Sequence, residues 1–151
     1  AQELVIITPK QHPLAGIREV ALAELNHYPV IGYEKESWMG TYAKHLYKKY
    51  QVSPNMIVEC PDEYSIVSLV RENFGIALMP RTDILEQAVG INIHRLKGLE
   101  IYRQVFMFWM KDRYRLPAVE RFIEYMKTQQ DEDANDTENV SKIYLKDIVN
   151  F

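Results

Sequence analysis

Between Val30 and Leu96 the sequence alternates short apolar runs with stretches of helical periodicity, and only a few residues separate one from the next. The runs at residues 30–33, 56–59, 76–79 and 91–96 have the length and β-branched content of strands. Between the first two, Trp38, Tyr42, Leu46 and Tyr50 recur every four residues with Met39 and Ala43 beside them, while Lys44, Lys48 and Lys49 take the opposite face and the C-terminal end. That is one apolar stripe on a helix whose last turn carries the cations that suit its dipole. Ile66, Leu69 and Val70 mark a second helix, and residues 83–88 a short third one. Strands and helices in alternation, joined by connections of two to six residues, define a compact α/β unit. The expectation is a self-contained layer of helices around a mainly parallel sheet.

Local chemistry sets the boundaries of these elements. Ser37 and Asp62 stand where N-caps belong, each with a side-chain oxygen able to accept an N–H of the first turn. Pro54 closes the first helical unit and Pro80 the third strand, since proline cannot donate to a ladder. Asn73-Phe74-Gly75 is a helix stop, with Asn73 or Gly75 able to take a left-handed conformation.

Before this unit, residues 3–8 read ELVIIT, a continuous apolar run ended by Pro9, which suits a strand covered on both faces. A turn-rich HPLAG follows at 12–16, then a short helix is expected over 20–25. Beyond Lys97-Gly98, residues 102–110 form a strand candidate rich in aromatics and methionine. Leu116-Pro117 opens a helix with proline near its first turn. There Val119, Phe122, Ile123 and Met126 make one apolar stripe, whose burial would contribute about 1.5–3 kcal/mol per side chain. Residues 129–139 are polar and acidic and read as a weakly ordered linker, and residues 140–151 as a short terminal helix.

Composition narrows the function. The net charge of −3 gives no bulk sign of the basic face that a free-standing DNA binder needs. The one cysteine, Cys60, cannot form an internal disulfide and is too little for a zinc site. No apolar run approaches the roughly 20 residues of a membrane span. The start, Ala-Gln-Glu, has no basic leader region and no methionine, so a segment cut from something longer and working in the cytoplasm is expected. The four histidines, His12, His27, His45 and His94, lie far apart, and there is no HExxH, GxSxG, Walker loop or GxGxxG. Neither an enzyme nor a bound cofactor is expected.

Three stretches resemble the effector-binding domain of LysR-type transcriptional regulators. They are residues 3–15, where the apolar strand runs into PKQHPLA; residues 65–80, reading SIVSLVRENFGIALMP; and residues 103–126, with a strand and then LPAV opening a helix that carries Phe122 and Ile123. HPLA followed at this distance by the helix–GIALMP unit is more specific than either alone. The resemblance covers residues 1–128. It implies an α/β, periplasmic-binding-protein-like (type II) domain of two lobes joined by two crossing strands, with a small-molecule cleft between them. On that pattern residues 1–9 are a crossing strand from lobe one, 10–29 a connection, 30–96 a complete lobe two, 97–128 the return crossing with part of lobe one, and 129–151 an acidic linker and C-terminal helix. The winged helix-turn-helix, its linker helix and the first part of lobe one have no counterpart in the chain. The expectation is therefore a truncated lobe one whose apolar surface drives a homodimer, contact with DNA only through the missing domain, and weak effector binding by this segment alone. A solute-binding component of a transporter shares the fold logic and is the alternative.

The resemblance directs attention to the rim of lobe two. At the start of the Trp38 helix, Ser37, Trp38 and Met39 offer a hydroxyl, free N–H groups and an aromatic face that could hold an anion; equally, Ser37 is a plain cap and Trp38 plain core. At the second helix start, Cys60, Pro61, Asp62 and Glu63 lie where the family places effector, although two carboxylates there repel an anion, and simple capping by Asp62 accounts for them as well. Thr8 and Pro9 on the first crossing are further candidates.

Overall fold

The computed structural model describes residues 1–105 and 114–133. It divides into two units, Ala1–Val105 and Phe106–Phe151.

The first unit is built on one sheet. Strand β1 (Gln2–Pro9) lies between β5 (Ala77–Pro80) and β6 (Ile91–Leu96), antiparallel to both. On the far side of β6, the two-residue β2 (Glu19–Val20) adds in parallel. On the far side of β5, β3 (Pro29–Tyr33) runs parallel through reciprocal bonds: Ile31 N–H donates to Ile76 O and Ile76 N–H to Pro29 O, both at 2.9 Å. Strand β4 (Asn55–Cys60) pairs parallel with β3 and forms the edge. Helix α1 (Trp38–Lys49) links β3 to β4, α2 (Glu63–Arg71) links β4 to β5, and the short α3 (Asp83–Gln87) precedes β6. A further strand, β7 (Tyr102–Arg103), pairs antiparallel with the start of β1.

The continuous apolar run at the N-terminus is explained by its place. Leu4, Val5, Ile6 and Ile7 are all buried, because a central strand has both faces covered. Val30, Ile31, Ile66, Val70, Ile76 and Leu78 are buried as well and belong to the same core.

Most elements stand where their sequence signals lie, with some differences. The sheet is mixed rather than mainly parallel, and residues 30–96 do not form it alone: β1 occupies its middle and β2 one edge. Strand β1 connects through long segments to β5 and β6, and nothing in local periodicity announces such pairings. The helix expected over 20–25 is a 3-10 turn at Leu22–Asn26. Asn73 takes the left-handed conformation (φ 64°). Gly75 serves a different need, since a Cβ there would lie 2.5 Å from Pro29 O, where β5 closes on β3. Helix α1 ends without glycine, and Gln51 adopts φ 55° in its place.

In the second unit, α4 (Pro117–Asp133) opens at Pro117 as expected and runs on into the segment read as an acidic linker. Of its apolar stripe, Ile123 is buried, Met126 is half-buried, and Val119 and Phe122 are exposed. The strand expected over 102–110 is present as β7, its remainder falling largely outside the described residues, as does the terminal helix at 140–151.

Candidate functional site

Strands β3, β4 and β5 point the same way, so their carboxyl ends share one end of the sheet. Ligand sites in open α/β sheets form outside such ends. Strand β1 runs oppositely and therefore begins there, with Gln2 opposite Arg103 and Glu3 opposite Tyr102 on β7. The starts of α1 and α2 open from the same ends of β3 and β4.

At the first of these starts Ser37 caps α1: its Oγ accepts the Gly40 N–H at 2.9 Å and donates to Glu34 O at 2.7 Å. The chain folds so tightly that a Cβ on Gly40 would lie 2.0 Å from Glu34 O. Trp38 follows, 47% exposed, with its ring stacked on Tyr42 at 5.2 Å and 12°. The Tyr42 hydroxyl donates to Tyr102 O at 3.4 Å, which ties this aromatic pair to β7. Met39 is buried in the core.

At the second start, the Cys60 thiol is buried, and burial, then Asp62 and Glu34, push its pKa up. A thiol so placed is a poor nucleophile. Pro61 is exposed. Asp62 accepts the Ser65 N–H at 2.9 Å and the Ser65 hydroxyl at 3.0 Å, and the first of these bonds does most to hold its carboxyl below the ordinary value. Glu63 faces inward instead. Its Oε1 accepts from the Tyr33 hydroxyl at 3.4 Å and from Arg103 Nη1 at 3.5 Å. Burial, and next the Glu63 charge, raise the Tyr33 pKa well above that of an ordinary phenol. Arg103 also donates through Nε to Gln2 Oε1 at 2.8 Å, and through Nη2 to the same oxygen.

Ser37, Trp38 and Glu63 are thus gathered with Tyr33, Tyr42, Gln2 and Arg103. Thr8 and Pro9 are not. They close the other end of β1, about 20 Å from Gln2 at some 3.3 Å per residue. Thr8 is fully buried, its Oγ1 2.9 Å from His94 Nε2 and accepting from Asn92 Nδ2 at 3.2 Å, while Pro9 O accepts from Asn92 at 2.6 Å. These bonds tie the end of β1 to β6. Sequence reasoning passed over Tyr33 and Arg103. A signal for Arg103 was present, as it is the one charged residue in the apolar run at 101–110.

A cavity of about 370 Å³ opens between α1 and the paired strands β3 and β4, lined by Tyr33, Ala43, Tyr47, Val52 and Met56 together with Lys44, Lys48 and Glu59. Gly40, at the end of the candidate loop that starts α1, lines it, whereas Ser37, Trp38, Met39 and residues 60–63 do not. Among the described residues no cluster of three or more His, Cys, Asp or Glu could hold a metal, and no helix is long and apolar enough to cross a membrane.

Comparison with known proteins agrees with this architecture. The family model for the LysR substrate binding domain matches residues 1–131. The HTH-type transcriptional regulator YybE of Bacillus subtilis (strain 168), itself uncharacterized, is 26% identical over 126 residues, 83% of this chain and 43% of that protein. The malolactic fermentation system transcriptional activator of Lactococcus lactis subsp. lactis (strain IL1403) is 28% identical over 130 residues, 84% and 44% respectively. The chain thus spans less than half the length of these relatives. Among solved structures, the effector binding domain of QuiR in complex with shikimate superposes with a TM-score of 0.72 at 22% identity, covering 82% of this chain and 59% of that one. The likeness extends to the fold.

Proposed function

The chain belongs to the LysR substrate-binding-domain family, with its periplasmic-binding-protein-like type II fold, and on that premise we propose that it is the effector-sensing part of a bacterial transcription regulator. It binds a small metabolite, and the event reaches DNA through a helix-turn-helix domain elsewhere in the whole protein. The observation that carries this reading is the convergence, at one end of the sheet, of two capped helix starts, the half-exposed Trp38 and the paired segments around Gln2 and Arg103. In this reading β2 to β6 with most of β1 form lobe two, the β1–β7 pairing forms the crossings, and the ligand sits at the rim beside Ser37, Trp38 and Glu63.

Sensing requires the ligand to prefer one arrangement of the lobes, because only a difference in affinity shifts an equilibrium. The protein is a non-catalytic homodimer of the cytoplasm. The relatives named as transcriptional regulators support a regulatory role over a solute-binding one.

A footprint of the full-length protein on DNA upstream of its own gene tests the proposal, with and without the small-molecule fraction of host cell extract. The protected phosphates are expected to change with that fraction. Trp38→Ala is expected to abolish the change and keep the ligand-free footprint. An identical footprint in both conditions for the wild type would refute the sensing role.

A further inference from the structure

Glu63 and Arg103 form an ion pair that ties the start of α2 to the two crossing segments, and its geometry is loose where it is charged and tight where it is neutral. The Arg103 side chain is 18% exposed. Its guanidinium is held in register by an uncharged acceptor, Gln2 Oε1, at 2.8 Å from Nε. Among the described residues its charge is matched by Glu63 alone, with Oε1 at 3.5 Å from Nη1. A well-formed charge-assisted bond closes to about 2.7–2.9 Å and pairs with carboxylate through two parallel N–H groups. The same Glu63 oxygen is shared with the Tyr33 hydroxyl at 3.4 Å, also near the limit of a hydrogen bond. The cation is thus fixed by a neutral anchor on β1 and weakly neutralised by a carboxylate from α2.

We propose that Glu63 is a resident counter-ion that an anionic ligand displaces from Arg103, so that ligand binding unlatches α2 from the β1–β7 crossing. This rests on the sensing role argued above and adds the switch that transmits it. A ligand carboxylate reaching the Nη edge makes closer contacts than Glu63 does, and the released Glu63 carboxylate, now beside a second anion, is repelled. The Trp38–Tyr42 stack, bonded to β7 through Tyr102 O, supplies a flat apolar wall for the body of such a ligand. The bond between Arg103 and Gln2 stays in place, which keeps the crossing paired while α2 moves.

The test uses the full-length protein with benzoate and, as a probe of the same shape without charge, benzamide, at millimolar concentration. Benzoate is expected to bind by calorimetry and to speed amide hydrogen exchange in the first turn of α2, and benzamide to do neither. Glu63→Gln removes the competing charge and is expected to bind benzoate about two- to fivefold more tightly, with fast exchange at α2 before any ligand is added. Arg103→Gln is expected to lose benzoate binding. Equal binding of the two probes, no binding of benzoate, or unchanged affinity and exchange in Glu63→Gln would each overturn the latch. The footprint experiment is independent of these probes, so a ligand-dependent footprint alongside a failed benzoate test rejects the latch and leaves sensing intact.

Discussion

His12 Nδ1 accepts the Leu14 N–H at 3.3 Å, so the imidazole must be unprotonated at that atom to hold the HPLA turn. Its ring also sits edge-on to Tyr28 at 4.5 Å. Burial, and then His94, hold the His12 pKa below its ordinary value of 6.5. The unfolded chain therefore binds this proton more readily than the folded one. Its contribution is fully present above about pH 6.5 and is lost as pH falls through the lower folded value. Urea midpoints are expected to drop between pH 7.5 and 5.5, and His12→Asn, which keeps an acceptor near the Leu14 N–H, is expected to flatten part of that slope. Asp62 follows the same sign lower down: its carboxyl is held below 3.8, so its help to α2 fails only in strong acid. These two residues were legible in sequence as a turn and a cap. The partner that shifts His12, His94, lies 82 positions away and was not.

Among the elements, α1 starts at a close backbone approach that a single small residue, Gly40, makes possible. Helix propensity alone favours alanine over Gly40 by about 1 kcal/mol. Here a Cβ would meet backbone, 2.0 Å from Glu34 O and 3.2 Å from Lys35 Cα, and backbone yields at greater cost than a flexible side chain. Gly40→Ala is therefore expected to destabilise by about 1–3 kcal/mol, as overpacking does, read by chemical denaturation. It should also weaken the Ser37 cap, since the bond from Gly40 N–H to Ser37 Oγ forms at the same place. The cap and the Trp38 stripe were readable from spacing. The close approach was not, because it depends on how residues 34–37 turn back over the helix start. The pairing partners of β1 were hidden likewise. An apolar run declares that both faces are covered without saying by what, and β5 and β6 reach it only after more than 65 residues of intervening chain.

For the molecule as a whole, α4 exposes Val119, Phe122 (55%) and Tyr125, and Leu116 just before it is exposed as well. Apolar side chains in a row on one helix rarely stay in water. Sedimentation velocity of this chain is expected to show concentration-dependent association, reduced by Phe122→Ser, and a clean monomer at high concentration would contradict that.

The order of strands and helices, the capped helix starts and the family were determined by local rules: periodicity, turn chemistry and a motif at fixed spacing, each acting over a few residues. Which end of β1 carries chemistry was decided by tertiary pairing alone. Thr8 and Gln2 belong to one strand, but antiparallel registry with β5 sends Thr8 into the packed floor and brings Gln2 to Arg103 at the mouth. Strand direction is a relation between distant segments, and no property of either segment by itself contains it.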